Sequence, residues 1–315
     1  MRRWPTWLTV GALCALGSFA AADALRGDRA EVRVKENPPP RAQTVARELR
    51  LREPEGILYY SDPDDGCRLH GLALPRLENA PPPDFSGCEF SLSPDTTAVL
   101  AGQVSWSPRG GLYARDSDGM IELGSQGSQP SLRFPGTAPA FMPNGTFTYA
   151  RGRTVVAWAT DCPSHARLFT LPGDNATVRC RREVARLPNP ATRLAWLARD
   201  RLTAVVRRPD RVSELLVLGG ERPLTLLVSG RPLAPLEVSP AGTFFAVPDR
   251  RTLLLFSWDG TGIPIPVDAA RAITWSPDER WAAVATENSV FAFRMHVPGE
   301  PVRRLPIRAS DLDWR

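Results

Sequence analysis

Ile273-Thr274-Trp275-Ser276-Pro277-Asp278-Glu279-Arg280-Trp281-Ala282-Ala283-Val284 reads as an apolar-any-apolar strand, a Ser-Pro turn, and a second apolar strand carrying small alanines. Proline pre-sets φ for a tight turn, and alternation buries one face of each flanking strand. The pattern recurs seven times, beginning at Phe90, Val104, Pro139, Leu194, Leu236, Ile273 and Leu312. Its third position holds Leu92, Trp106, Phe141, Trp196, Val238, Trp275 and Trp314, so four of the nine tryptophans share one slot. The second strand supplies Leu112, Phe147, Leu202, Phe244 and Trp281, followed by small Ala114, Ala204, Ala246 and Ala283. The copy at Leu194 is degenerate, with Leu197-Ala198 in place of Ser-Pro, but its strands keep register.

The copies are spaced by 14, 35, 55, 42, 37 and 39 residues. Apart from the first step these fit a four-stranded propeller blade of about 40 residues. The short step predicts that Phe90–Leu92 ends one blade and Val104 opens the next. Leu312–Arg315 supplies one strand without a successor, and the strand expected at Ile57–Tyr60 can complete it. Such a composite blade removes open sheet edges. The expected fold is therefore all-β, a propeller of six four-stranded blades closed by pairing of N- and C-terminal strands, with five or seven blades left open.

Composition agrees. The chain has 315 residues, 43% hydrophobic, enough for a substantial core. Its 24 glycines and 32 prolines favour many turns. Net charge is +5, but Lys35 is the only lysine and the arginines are scattered among acids without interleaved aromatics, which argues against nucleic acid as a partner.

Met1-Arg2-Arg3 precedes an uncharged run from Trp4 to Ala22, so residues 1–24 read as a signal peptide or signal anchor that tethers the chain to a membrane. The twin arginines meet Pro5-Thr6 where bulky apolar residues belong, and Leu13 before Cys14 departs from a lipoprotein signal. Residues 25–55 form a polar linker with Pro38-Pro39-Pro40 and one short amphipathic helix within 41–52; its Arg26-Gly27-Asp28 triplet stands on no constrained loop. Residues 56–315 are the propeller domain.

Cys67, Cys88, Cys162 and Cys180 allow three disulfide connectivities, of which local pairing, Cys67 with Cys88 and Cys162 with Cys180, is the simplest. Each would bridge strands of one blade. Zinc is disfavoured because no Cys-x-x-Cys exists and the histidines are only His70, His165 and His296. Disulfides agree with an extracytoplasmic location.

Trp275-Ser276-Pro277-Asp278 with Trp281-Ala282-Ala283-Val284, Trp106-Ser107-Pro108-Arg109-Gly110, and Val238-Ser239-Pro240-Ala241-Gly242 resemble the repeats of TolB-type, WD-repeat-like bacterial β-propellers, over 56–315. That family includes periplasmic interaction partners, ligand sensors and propellers attached to peptidases, so the resemblance implies architecture and leaves activity open. The Leu194 copy and the long third repeat depart from its pattern.

No Gly-x-Ser-x-Gly elbow is present, and Ser276–Trp281 lacks the glycine of a sialidase Asp box. Asp62, Asp64 and Asp65 beside Gly66 do not complete a calcium loop, and no cofactor is indicated. The sequons at Asn144 and Asn175 are read as incidental. The expectation is an extracytoplasmic, membrane-tethered platform for an unidentified envelope protein or surface ligand. Its alternatives are a sensor ectodomain or a propeller enzyme that pairs two of Asp62, Asp64, Asp116, Asp118, Asp259, Asp311 and Asp313 across a funnel. The third repeat and the loop from Glu78 to Gly87 depart most from an average blade and are the favoured sites of added function.

Overall fold

The structure, a computed structural model, describes residues 53–315 apart from 103, 165, 172–173, 220–222, 234–235, 250–251 and 296–301. The expected signal or anchor segment, the linker to residue 52, the Arg-Gly-Asp triplet, His165 and His296 lie outside the described residues. Among those described, no helix is long and apolar enough to cross a membrane.

The described chain is all-β, with two single 3-10 turns, Pro63–Asp65 and Ala198–Asp200, as its only helical elements. Seven antiparallel sheets follow one another, here named A to G. Sheet A joins Gly56–Asp62, Arg68–Leu74 and Glu78–Ala80 to the last strand, Leu312–Trp314. Sheet B is the pair Phe90–Leu92 and Val99–Ala101. Sheet C runs from Ser105–Trp106 to Leu132–Pro135, E from Ala191–Leu197 to Leu224–Ser229, F from Glu237–Val238 to Gly262–Ile263, and G from Ala272–Trp275 to Arg303–Leu305. Sheet D begins at Thr137–Phe141 and has five strands.

The six four-stranded blades are thus corrected to seven sheets, of which five have four strands. The 14-residue step from Phe90 to Val104 has room for a hairpin, with Ser93-Pro94-Asp95 at its turn, so this copy stands as its own two-stranded sheet and does not end the previous one. The loop from Glu78 supplies an edge strand, and the long third repeat folds Leu168–Leu171 onto Asp174–Arg186 as its fifth strand.

Each repeat strand packs in register against its successor. Phe141 faces Phe147, Trp196 faces Leu202, and Trp275 faces Ala282. Sheet A closes between the two ends of the array, with Leu58 opposite Trp314 and Tyr60 opposite Leu312. Ile57 N–H donates to Arg315 O at 2.7 Å, and Arg315 N–H returns to Ile57 O at 2.9 Å. Gly56 lies in the left-handed region, φ 111°, and a Cβ there would strike the Arg315 carbonyl, so glycine is required at the seam.

Buried clusters join neighbouring sheets two by two. Tyr59 and Leu69 meet Phe90 and Leu92 between A and B. Ile121 and Phe134 meet Tyr149 and Trp158 between C and D, and Val155 meets Leu202 and Val206 between D and E. Leu197 meets Phe245 between E and F, Phe244 meets Ile273 between F and G, and Trp281 and Val290 meet Leu58 and Trp314 between G and A. Between B and C the link is polar: Trp106 Nε1 donates to Ser91 Oγ at 3.0 Å, and Gln126 Nε2 to Asp95 Oδ1 at 3.2 Å.

The repeated tryptophans are not equivalent. Trp196 Nε1 donates to Thr148 Oγ1 at 2.9 Å, whereas Trp275 Nε1 is buried with no partner among the described residues. An unpaired buried N–H costs about 1–3 kcal/mol, so Trp275→Phe is expected to be neutral or mildly stabilising. Trp196→Phe takes the bonded donor from buried Thr148 and is expected to cost about 1 kcal/mol more, read as the difference between their urea unfolding free energies.

The structure pairs Cys67 with Cys88 and Cys162 with Cys180, at Cα–Cα distances of 4.8 and 5.7 Å. The first does not bridge strands of one sheet: Cys67 sits in the turn between the first two strands of A, and Cys88 two residues before sheet B. It ties neighbouring sheets. The second stays in sheet D, where Cys180 lies opposite Ala159 and Cys162 just beyond it. Two disulfides fit an oxidising, extracytoplasmic compartment.

Candidate binding site

The first strands of B, C, F and G, with the last strand of A, bound a cavity of about 520 Å³. An adjoining cavity of about 340 Å³ is bounded by C, D, E and F and shares Trp106 and Val238 with it. Every third-position residue of the repeat, Leu92, Trp106, Phe141, Trp196, Val238, Trp275 and Trp314, lies in the wall of one or both. The slot that marks the repeat in sequence marks the cavity in space.

Leu312–Trp314 and its flanks bring three of the larger cavity's charged groups, Asp311, Asp313 and Arg315, onto one strand. In a strand side chains alternate, so Asp311, Asp313 and Arg315 share one face while Leu312 and Trp314 point into the core, 7% and 1% exposed. Asp311 accepts from Phe90 N–H at 3.0 Å and Leu312 N–H at 2.9 Å. Its own N–H donates to Ser61 Oγ, and Ser61 Oγ donates to Cys88 O, both at 3.1 Å. One carboxylate thereby pins the last strand to sheet B. Arg315 Nη2 donates to Asp313 Oδ2 at 2.8 Å and to Leu92 O at 3.1 Å, while its Nε has no partner among the described residues.

Burial pushes the Asp311 carboxyl up to about 6; the Phe90 and Leu312 N–H groups oppose this, and the negative charges of Asp313 and Glu89 add to it. Asp313 is also raised, by burial, against the pull of Arg315. Its side chain keeps a fifth of its surface open.

A carboxyl with a raised native value binds more protons folded than unfolded, so its effect on stability falls as pH rises from about 4 to about 6. For Asp311 that change is at most roughly 3 kcal/mol. Asp311→Asn is expected to flatten this descending limb in melting temperatures recorded from pH 4 to pH 7. An unchanged slope would place the titration elsewhere.

The other carboxylates singled out in the sequence are dispersed. Asp62 caps the 3-10 turn by accepting from Asp64 N–H at 2.9 Å, Asp64 pairs with Arg308 at 2.8 Å, and Asp65 meets His70 at 3.1 Å. Asp116 accepts from Ala138 N–H at 3.1 Å and lines the smaller cavity. Asp118 sits in a left-handed turn, φ 53°, and Asp259 accepts from Thr261 N–H at 2.9 Å. Asp62 and Asp64 line a separate cavity of about 660 Å³ with Arg304 and Arg308, while Asp311 and Asp313 share the 520 Å³ cavity on one strand and not across a funnel. Arg315, Glu89 and Arg271 also line this cavity and were not singled out in the sequence. The alternating Asp311-x-Asp313-x-Arg315 was the available signal.

No protein-family model matches the chain, and no curated protein matches it. Among solved structures, a functionally unknown protein from Desulfotomaculum acetoxidans DSM 771 is similar at a TM-score of 0.46 and 13% identity, covering 82% of this chain and 98% of that one.

Proposed function

We propose that residues 56–315 form a closed, seven-sheet propeller of the TolB-type, WD-repeat-like kind, held outside the cytoplasm by residues 1–24, whose central cavity binds a ligand from the cell envelope. Closure is supported by links that run from A to B and on through G back to A. The observation that carries the binding reading is that Asp311, Asp313 and Arg315 line one cavity together with the apolar slot residues Leu92, Trp106, Val238, Trp275 and Trp314. Ligand pockets are typically apolar concavities with a few placed polar groups. A rigid ring suits this task, because its loops and inner strands vary without disturbing the sheets.

The test is native mass spectrometry of full-length protein extracted from its own envelope membranes, beside Asp311→Asn. The expected result is a stoichiometric small-molecule adduct on the parent that is lost from the folded variant. A protein partner retained equally by both would move the function to the outer loops. Neither adduct nor partner on folded protein would end the platform reading.

A further inference from the structure

The outer edge of sheet E lacks the protection that the other outer edges have. Native sheets guard a last strand by keeping it short or by placing charge or proline on it. Glu78–Ala80 and Arg303–Leu305 are short and charged, and Leu132–Pro135 carries an arginine and ends in proline. Gly262–Ile263 has two residues, Val99–Ala101 three and Leu168–Leu171 four. Leu224–Ser229 runs for six residues with neither charge nor proline, and no strand pairs with its outer side among the described residues. Leu224 and Val228 are 47% and 56% exposed, two of the four large apolar side chains left open among the described residues.

Two unanswered cations stand at the Leu224 end of this edge. Arg199 and Arg201 both stack on Trp258, their guanidinium carbons 4.3 and 4.7 Å from the ring centre. Neither side chain has an ion pair or hydrogen bond among the described residues, and Asp200, between them in sequence, pairs with neither. The stem of Arg201 lies over Gly219, just past the strand that precedes the edge, where a Cβ would stand 3.0 Å from its Cγ. A Cβ on Gly260, two residues after Trp258, would stand 3.0 Å from Leu224 Cδ2 and 2.9 Å from Leu226 Cδ2. The indole, both guanidinium groups and the start of the edge strand therefore form one surface. Stacking fixes a guanidinium without neutralising it, so its N–H donors stay free for an anion. Tryptophan and arginine are also the side chains that dominate protein interfaces.

We infer that this edge takes an extended, acidic peptide segment of a partner protein. The segment pairs with Leu224–Ser229 as a further strand of sheet E, lays apolar side chains on Leu224 and Val228, and carries carboxylates that meet Arg199 and Arg201. In such strand addition main-chain hydrogen bonds supply affinity, and side chains at alternate positions supply choice. Charge complementarity selects an acidic partner over a second copy of this chain. A copy would bring an identical uncharged strand and leave Arg199 and Arg201 of both copies unanswered. None of these residues lines the central cavity, so the inference stands apart from ligand binding there.

The test titrates the full chain with fluorescein-labelled peptides of alternating threonine and valine that end in two aspartates, with the same peptides in reverse order, and with both carrying lysine in place of aspartate. Saturable binding of an acid-ended peptide and of no lysine-ended one is expected, with amide hydrogen exchange slowed at Leu224–Ser229 in the bound state. Arg199→Glu/Arg201→Glu should weaken the acid-ended peptide about tenfold and turn the preference to lysine, a reversal that misfolding does not produce. Leu224→Asp/Val228→Asp, at two exposed positions, should lose binding of the acid-ended peptide while the protein stays folded. Equal binding of acid-ended and lysine-ended peptides would overturn the inference, as would acid-ended binding that leaves exchange at Leu224–Ser229 unchanged. A dimer of the parent that Leu224→Asp/Val228→Asp abolishes would overturn it too, because the edge would then belong to a second copy. So would folded protein that binds no peptide of the set.

Discussion

Trp314→Ala is expected to destabilise the protein by about 5 kcal/mol, near the top of the range for a large aromatic removed from a core. The strand that carries it has three residues, too few for backbone pairing alone to hold a seam between residues so far apart in sequence. Trp314 is 1% exposed, pairs with Leu58, and packs with Trp281 and Leu305 of sheet G. Its indole N–H reaches Glu55 O at 2.9 Å, and its backbone N–H reaches Thr274 Oγ1 at 3.0 Å. One side chain therefore joins the first strand, the last strand and the preceding sheet. For a domain of this size the loss corresponds to roughly 10 °C in melting temperature. The variant should also associate at raised concentration, since loosening Leu312–Trp314 uncovers the edge of Gly56–Asp62. Thermal unfolding with size-exclusion chromatography reads both effects. A loss below about 2 kcal/mol would mean that the seam does not hold the array together.

The seam was legible because two sequence signals pointed to it: a final repeat with one strand, and an unmatched Ile57–Tyr60 near the start of the array. The number of sheets was less legible. A step of 14 residues between Phe90 and Val104 fits equally the end of one blade or a hairpin, because both have the same alternation. What separates them is the packing of Phe90 and Leu92 against Tyr59 and Leu69, a contact between segments that periodicity does not encode. The 55-residue step from Pro139 was visible as excess length, while its use as a fifth strand depends on pairing within sheet D.

The cavity was half legible. The slot residues announce themselves by recurrence, since each repeat must fill the same inner position. The polar groups do not recur. Asp311, Asp313 and Arg315 occur once, in the copy with least repeat sequence around it, and in a chain with 34 acidic and 39 basic residues nothing but strand alternation sets them apart. Glu89 joins them from another sheet, next to Phe90, whose N–H donates to Asp311. Recurrence reveals what the fold needs, and a binding site is built from the departures.

Reduction of both disulfides is expected to remove about 6 kcal/mol, the sum of about 3 kcal/mol for each loop on the chain-entropy account. The two bridges close loops with sequence separations of 21 and 18 residues that share no segment, so their effects should add. They should not yield together. Cys88 is exposed, whereas Cys180 is 1% exposed within sheet D, so an external thiolate reaches the first bridge before the second. Mild dithiol treatment of the folded protein should give a species with Cys67 and Cys88 free, its melting temperature lowered by roughly 6 °C, and full reduction should lower it by roughly 12 °C. Cys67–Cys88 also borders the seam: Ser61 Oγ donates to Cys88 O and accepts from Asp311 N–H, so the bridge, the last strand and the cavity carboxylate form one connected set. Opening that bridge alone should therefore slacken the strand that carries Asp311, with faster amide hydrogen exchange at Phe90 and Leu312 than in Cys162→Ser/Cys180→Ser. Equal exchange in the two species would separate the disulfide from the cavity and reduce it to a local clasp.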